Sequence, residues 1–429
     1  MLDGTIDPTW EHSNPFVDVC DEVSILDGCT GYAIALAVRL GMRIGMLRLG
    51  GAMVLGFLGL IAVHVGIGMQ ALHAQVPSVP SVEIARGKFP DAPMQPQLAV
   101  DTSETIHVTY GIGNRVLYIR SNDGGKKFSE PVDLPFAKVM SLGMRRGPRI
   151  TASQGKICIT SIGGDIGKGR DGDILARCSR DGGESWSNTV RVNDVEGSAR
   201  EGLHAMASGP DGLVCCVWLD LRNRSTELMA SISNDGGESW SANQLVYKSP
   251  SGSICECCNP SVAIGRDGSI YVQWRNSIDG KRDIYVSVSN DRGASFRSVS
   301  KQGIGEWSLG ICPMDGGSIA IDGERAYSAW RRDNMVYLSQ GKTKEEKMLG
   351  VGEQPWVAIA DNRPWVVWLA KRGGDALLWH PDEPAPAVFA KNAWDPVVAA
   401  FHNPQSPIVI AWETVEGEYR TLRLATVRP

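Results

Sequence analysis

The chain lacks a basic excess: 43 Lys and Arg face 48 Asp and Glu, for a net charge of -5. That removes the electrostatic footprint on which a nucleic-acid partner depends. Sustained helical periodicity is missing from the body of the sequence. Two-residue alternation takes its place, which points away from helices and towards strands. Turn residues are abundant instead. Of 429 residues, 49 are Gly and 23 are Pro, with 13 Trp, a composition suited to many short strands joined by turns.

The first 75 residues read differently from the rest. Residues 50–68 are almost wholly apolar, follow Arg43 and Arg48, and precede small residues and Ala74-Gln75. This is the layout of a secretory signal cleaved after Ala74. A run of that length also spans a bilayer, so an uncleaved anchor over 50–68 is the alternative. Either reading puts the body outside the cytoplasm, secreted or periplasmic, with the membrane involved only through that segment. Residues 1–41 read as a non-structural extension or a mis-called start, with Met42 or Met46 as the true first residue. Residues 42–75 are then the signal or anchor, and 76–429 the folded body. Eight of the ten cysteines fall in that body, an even number that export turns towards disulfides.

One short pattern recurs four times: Ser121-Asn-Asp123-Gly-Gly125-Lys-Lys127-Phe128, Ser179-Arg-Asp181-Gly-Gly183-Glu-Ser185-Trp186, Ser233-Asn-Asp235-Gly-Gly237-Glu-Ser239-Trp240 and Ser289-Asn-Asp291-Arg-Gly293-Ala-Ser295-Phe296. It predicts a tight turn between antiparallel strands, in which Asp bonds the following backbone and Gly takes positive φ. Around it a larger module repeats. First strands begin near Pro96, Pro148, Leu203, Pro260, Gly317, Pro355 and Pro396, and second strands end at Tyr110, Ser161, Trp218, Trp274, Trp330, Trp368 and Trp412. A spacing of roughly 40–55 residues is that of four-stranded propeller blades. The expected fold is therefore all-β, a β-propeller of four-stranded antiparallel blades with seven modules. The last module stops after its third strand, at Leu422–Thr426. The early stretch Ser81–Ala85 is placed to supply its fourth and close the ring, which removes exposed edges. The repeated tryptophans read as packing between blades, and the turn aspartates as partners of their own backbone.

The four Asp turns resemble the Asp boxes, or BNR repeats, of the sialidase (neuraminidase) superfamily. Two match in full, one has Phe for Trp, and one is degraded; they cover modules one to four. The resemblance implies a propeller with its boxes on the face opposite the active site, with six blades as the alternative to seven. It also implies arginines clamping a carboxylate, a Tyr–Glu nucleophile pair and an Asp acid/base. The Arg-Ile-Pro motif usual in sialidases is absent; Pro148-Arg149-Ile150 holds related residues in another order.

Loops that lead into first strands or leave second strands lie on the face away from the boxes. There the sequence places Arg145, Arg146, Arg149, Arg200, Glu201, His204, Asp220, Arg222, Arg275, Asn276, Arg331 and Glu413. Guanidinium forks suit carboxylates. Arg149, Arg222, Arg275, Asn276 and Arg331 are thus candidates to bind an acidic glycan or other anionic small ligand. Asp220 is the acid/base candidate and Tyr110 the nucleophile, with Glu201 or Glu413 as its partner. The expected activity is that of an exo-glycosidase on a terminal acidic sugar of the sialic acid class. The alternatives are that these loop charges merely pair with one another, and that the propeller binds a ligand or partner without catalysis.

The remaining unusual feature is Cys255-Glu-Cys257-Cys258, which leads into one first strand, with Cys312 leading into the next. First strands line the channel, so these cysteines should be neighbours. Two readings stand: a disulfide from Cys312 to Cys257 or Cys258 with Cys255 paired elsewhere, or a thiolate site for copper or zinc with Met314 or His204 nearby. Export favours disulfides. Cys158 and Cys178 should face each other across a hairpin, and Cys215-Cys216 should point to opposite sides of a buried strand.

Overall fold

The computed structural model describes residues 79–323, 325–341, 345–403 and 408–427. The apolar run 50–68 and the expected cleavage point lie outside them.

Alternating apolar and polar residues form antiparallel sheets that follow chain order. Blade one is Pro93–Val100, Ile106–Ile112, Arg115–Ser121 and Val132–Leu134. The later blades start at the inner strands Arg149–Ser153, His204–Ser208, Ser261–Ile264, Ser318–Asp322 and Glu353–Ala360. The 14-residue strand Ala387–Ala400 serves two blades. Its first part pairs with Gly374–Trp379 as an outer strand; beyond a register shift between Trp394 and Val397, it pairs with Ile408–Glu416 as an inner one. Each inner strand lies against the next, and the last returns to Pro93–Val100, so seven inner strands form a closed ring. The expected closure is present. Val82–Lys88 pairs antiparallel with Tyr419–Val427, with Val82 opposite Leu424 and Lys88 opposite Tyr419.

The core lies between blades. Trp218, Trp274, Trp330, Trp368 and Trp412 are at most 2% exposed. Trp218 packs with Cys158, Ile162 and Ile174 of the preceding blade; Trp368 and Trp412 do the same with Tyr327 and Trp365. Each such indole removes about 200 Å2 from water, a driving force of up to about 5 kcal/mol.

The Asp turns rivet the outer parts of the blades. Ser233 Oγ donates to Asp235 Oδ1 at 2.6 Å and accepts from Gly237 N at 2.8 Å, while Asp235 Oδ1 accepts from Glu238 N and Ser239 N at 3.0 Å each. The turn aromatic then reaches the preceding blade: Trp186 meets Tyr118 edge-on with centroids 5.0 Å apart, and Phe128 packs on the cluster containing Leu422 and Leu424. These turns join third to fourth strands. The lead-ins to the inner strands therefore lie on the opposite face.

Candidate functional site

Three inner strands contain a polar residue followed by proline: Gln95-Pro96, Gln354-Pro355 and Asp395-Pro396. Proline cannot donate to the ladder, and each strand bulges there, with register shifts between Met94 and Gln97, Glu353 and Trp356, and Trp394 and Val397. Gln95, Gln354 and Asp395 take φ of 58°, 56° and 44°, a left-handed conformation costly for residues with a Cβ. Bulges of this kind re-aim side chains, and here all three residues are buried.

They meet around Arg145, in the lead-in to blade two. Arg145 is 4% exposed. Its Nη2 donates to Gln354 O at 2.8 Å, its Nε lies 3.3 Å from Asp395 Oδ1, and its guanidinium sits over Trp356, 5.4 Å from the ring centroid. Gln95 joins two carboxylates: its Nε2 donates to Asp395 Oδ2 at 2.7 Å and its backbone N to Glu413 Oε1 at 2.6 Å. Gln354 N donates to Asp315 Oδ2 at 2.6 Å. Blades one, two, five, six and seven thus contribute to one charged cluster across the axis. Burial pushes the Arg145 pKa down, opposed by Asp395 and Asp315. Burial and the neighbouring Asp395 push the Glu413 carboxyl up to about 8, against the pull of Arg420, whose Nη1 is 3.1 Å from Glu413 Oε2. Gln354 Oε1 is buried without a hydrogen bond.

The residues singled out in the sequence sit around this cluster, most of them in structural roles. Arg149, 4% exposed, donates to His204 O at 3.1 Å, Gly147 O at 3.2 Å and Pro148 O at 2.9 Å, and also to Arg145 O; burial pulls its pKa down to about 10. Arg275 donates to Asp315 O at 2.7 Å, Arg282 O at 2.6 Å and Arg331 O at 2.9 Å. These guanidiniums bond the carbonyls left unpaired where blades meet, which differs from the expectation of arginines open to a carboxylate. Asn276 is buried and donates to Tyr247 OH at 2.8 Å. Arg222 is paired with Asp220 and Asp194, and Arg331 with Glu353. Asp220 is fully buried, accepting from Ser198 Oγ, Trp218 Nε1 and the Arg222 guanidinium. These bonds fix the carboxylate beneath the loop that carries Arg222. Tyr110 is 1% exposed, inside an apolar cluster with Ile106 and Val108, and burial raises its pKa. Glu201 is half-buried; burial raises its pKa, opposed by Arg146.

The cysteines of neighbouring lead-ins do converge. Cys255 Sγ lies 3.0 Å from Cys258 Sγ and 3.4 Å from Cys312 Sγ, with Cys258 and Cys312 3.6 Å apart. Cys257 is disulfide-bonded to Cys312, one of the pairings expected. Arg282 Nη1 is 3.2 Å from Cys255 Sγ. The hydrogen bond with Cys258, helped by Arg275 and Arg282 against burial, pulls the Cys255 pKa down to about 7. His204 is held elsewhere, its Nε2 3.0 Å from Thr160 Oγ1. Cys158 and Cys178 are opposite each other in register, their sulfurs 3.1 Å apart, and Cys215 and Cys216 enter separate core clusters on either side of their strand.

The BNR repeat-like domain model matches residues 153–314, a span holding three of the four Asp turns. The chain thus carries a BNR repeat-like domain within its propeller. No curated protein sequence matches it. Among solved structures, the propeller is similar to an alpha-L-arabinanase of Penicillium chrysogenum bound to arabinobiose, at 15% identity and a TM-score of 0.50, covering 82% of this chain and 98% of that one. An alpha-L-arabinofuranosidase of Fusarium graminearum gives 14% identity and a TM-score of 0.50, covering 81% and 97%. A sialidase of Streptococcus pneumoniae gives 13% identity and a TM-score of 0.47, covering 82% and 70%. Of the axial residues of this propeller, Arg145 was placed on this face by the sequence without being assigned to ligand binding, and Gln95, Gln354 and Asp395 were passed over. Their signal was in view: the residue before proline at three inner strands is polar where the pattern calls for burial.

Proposed function

We propose that this protein is a glycan-directed propeller that works outside the cytoplasm and engages its ligand over the axial cluster. The observation that carries the proposal is the carboxyl pair Asp395 and Glu413, bridged by Gln95 beside Arg145. With the Glu413 pKa raised to about 8, its carboxyl carries a proton near neutral pH. A protonated carboxyl beside a second carboxyl group is the equipment of glycoside hydrolysis, one giving a proton to the leaving oxygen and one acting as the base or nucleophile. Arg145 supplies the positive charge that favours an acidic sugar. Similarity in fold to arabinan-acting enzymes supports a glycan ligand while leaving the sugar open, and the signal-like run over 50–68 supports export.

A second reading is favoured by burial: Asp395 is 8% exposed and Glu413 fully covered, so the cluster also suits a rigid propeller that binds glycans without cleaving them. One experiment separates the two. The full chain is incubated with arabinan, aryl arabinosides, sialosides and uronic-acid glycosides, and reducing-sugar release is compared with Asp395→Asn and Glu413→Gln. Release lost in both variants supports hydrolysis at this pair. Glycan-array binding without release supports the second reading. Release unchanged in both variants removes the pair from the chemistry.

A further inference from the structure

The thiols beside the axis are not used by the carboxyl cluster. Cys255, Cys258 and Cys312 form a nearly equilateral triangle of sulfurs, with sides of 3.0, 3.4 and 3.6 Å. These three are the group of ligand-type side chains, among the described residues, close enough together to share one cation. No carboxylate or imidazole joins them. A cation about 2.3 Å from each sulfur fits just off the plane of this triangle. Its surroundings suit a negatively charged thiolate complex: Arg282 Nη1 is 3.2 Å from Cys255 Sγ, Met314 N donates to Cys312 Sγ at 3.4 Å, and Cys255 N is anchored to Arg275 O at 3.1 Å. Cys255 and Cys258 are each 1% exposed, so their sulfurs are shielded from solvent, while Cys312 is half-buried at the edge of the site.

The geometry points to a redox-gated thiolate site for a d10 cation, Zn(II) or Cu(I), built from Cys255, Cys258 and Cys312, with Cys257 as its switch. In the disulfide state Cys312 is bonded to Cys257 and gives no thiolate. An external dithiol breaks that bond by exchange. Two electrons pass to the two sulfurs, the dithiol becomes a disulfide, and its two protons go to Cys257 and Cys312. Each thiol that then binds the cation releases its proton. Sulfur donors without oxygen or nitrogen partners select soft cations such as Cu(I), Zn(II) or iron in clusters, and a single triangle leaves room for one ion. Zn(II) asks for a fourth ligand, which freed Cys257 supplies; Cu(I) is content with three.

The test uses the full chain, reduced under anaerobic conditions and then dialysed against Zn(II) or Cu(I) with a competing chelator, with metal and free thiols counted per chain. One metal per reduced chain is expected. Affinity should fall by about 100-fold or more in Cys255→Ser, Cys258→Ser and Cys312→Ser, while Cys158→Ser, far from the triangle, binds as wild type. The chain oxidised at Cys257–Cys312 should bind about 100-fold more weakly. Cys257→Ser separates the cations, weakening Zn(II) and sparing Cu(I). If a serine variant fails to fold, alkylation of the wild type mapped by mass spectrometry replaces it: the metal should protect Cys255, Cys258 and Cys312. A reduced chain that takes up neither cation, uptake that survives Cys255→Ser with Cys312→Ser, or alkylation unaffected by metal would each overturn the proposal.

Discussion

If the Asp turns rivet each blade to its predecessor, the second glycine of a turn should tolerate alanine far less than the first. The closing junction of the ring gives the cleanest comparison. Gly124 and Gly125 have φ of 74° and 85°, so alanine at either forces a left-handed backbone, costing about 1–2 kcal/mol. A Cβ on Gly124 would meet nothing within 4 Å; one on Gly125 would lie 2.9 Å from Leu424 Cδ2 and 3.3 Å from both Ile106 Cδ1 and Thr426 Oγ1. Leu424 belongs to Tyr419–Val427, the strand that holds Val82–Lys88. Forcing a methyl group into that contact adds about 1–3 kcal/mol. Gly124→Ala should therefore destabilise by about 1–2 kcal/mol and Gly125→Ala by about 2–5 kcal/mol. Urea unfolding followed by tryptophan fluorescence reads the difference. With a slope of about 3 kcal/mol per molar, the midpoints should differ by about 0.3–1 M. Coincident midpoints would refute the idea that the turns act through contact with the preceding blade.

Other expectations follow from the charges. Arg145→Met leaves Asp395 and Asp315 without their cation and should cost about 3–5 kcal/mol, with Arg145→Met/Asp395→Asn recovering part of the loss in the same urea assay. The folded pKa of Glu413 is raised to about 8, so its contribution to stability is fully present below the unfolded value of about 4.3 and is lost as pH rises to about 8. Glu413→Gln should lack that decline when melting temperature is plotted from pH 4 to 9. Asp235 behaves oppositely: burial pushes its pKa up, but bonds from Ser233, Ser239 and the backbone win and bring it down to about 2. Its stabilisation is present above the unfolded value of about 3.9 and fades as pH falls towards 2. Asp235→Asn should show a shallower acid-unfolding limb.

How much of this was legible in the sequence depends on whether the signal is local. The turn Ser233-Asn-Asp235-Gly-Gly237 carries its own hydrogen bonds, so the boxes, the blade order and the missing outer strand of the last blade could be read directly. The meeting of Cys255, Cys257, Cys258 and Cys312 was also legible, because lead-ins to consecutive inner strands must be neighbours. The fate of Arg149 and Arg275 was not. Their partners are backbone carbonyl oxygens, some of the adjoining blade and some of their own, and backbone acceptors leave no mark in a side-chain pattern. The axial cluster was hidden for another reason. Arg145 and Gln354 are 209 positions apart and meet only because the ring closes, so no window along the chain contains the contact. The residues before proline at Gln95, Gln354 and Asp395 gave the local half of that signal. Three costly left-handed residues, each ending in a buried polar side chain, are maintained where inner strands begin their pairing. A left-handed residue with a side chain persists only where its surroundings over-determine it, and at Gln95, Gln354 and Asp395 those surroundings are the bonds to Arg145, Glu413 and Asp315, so the local strain and the long-range contacts are two halves of one constraint.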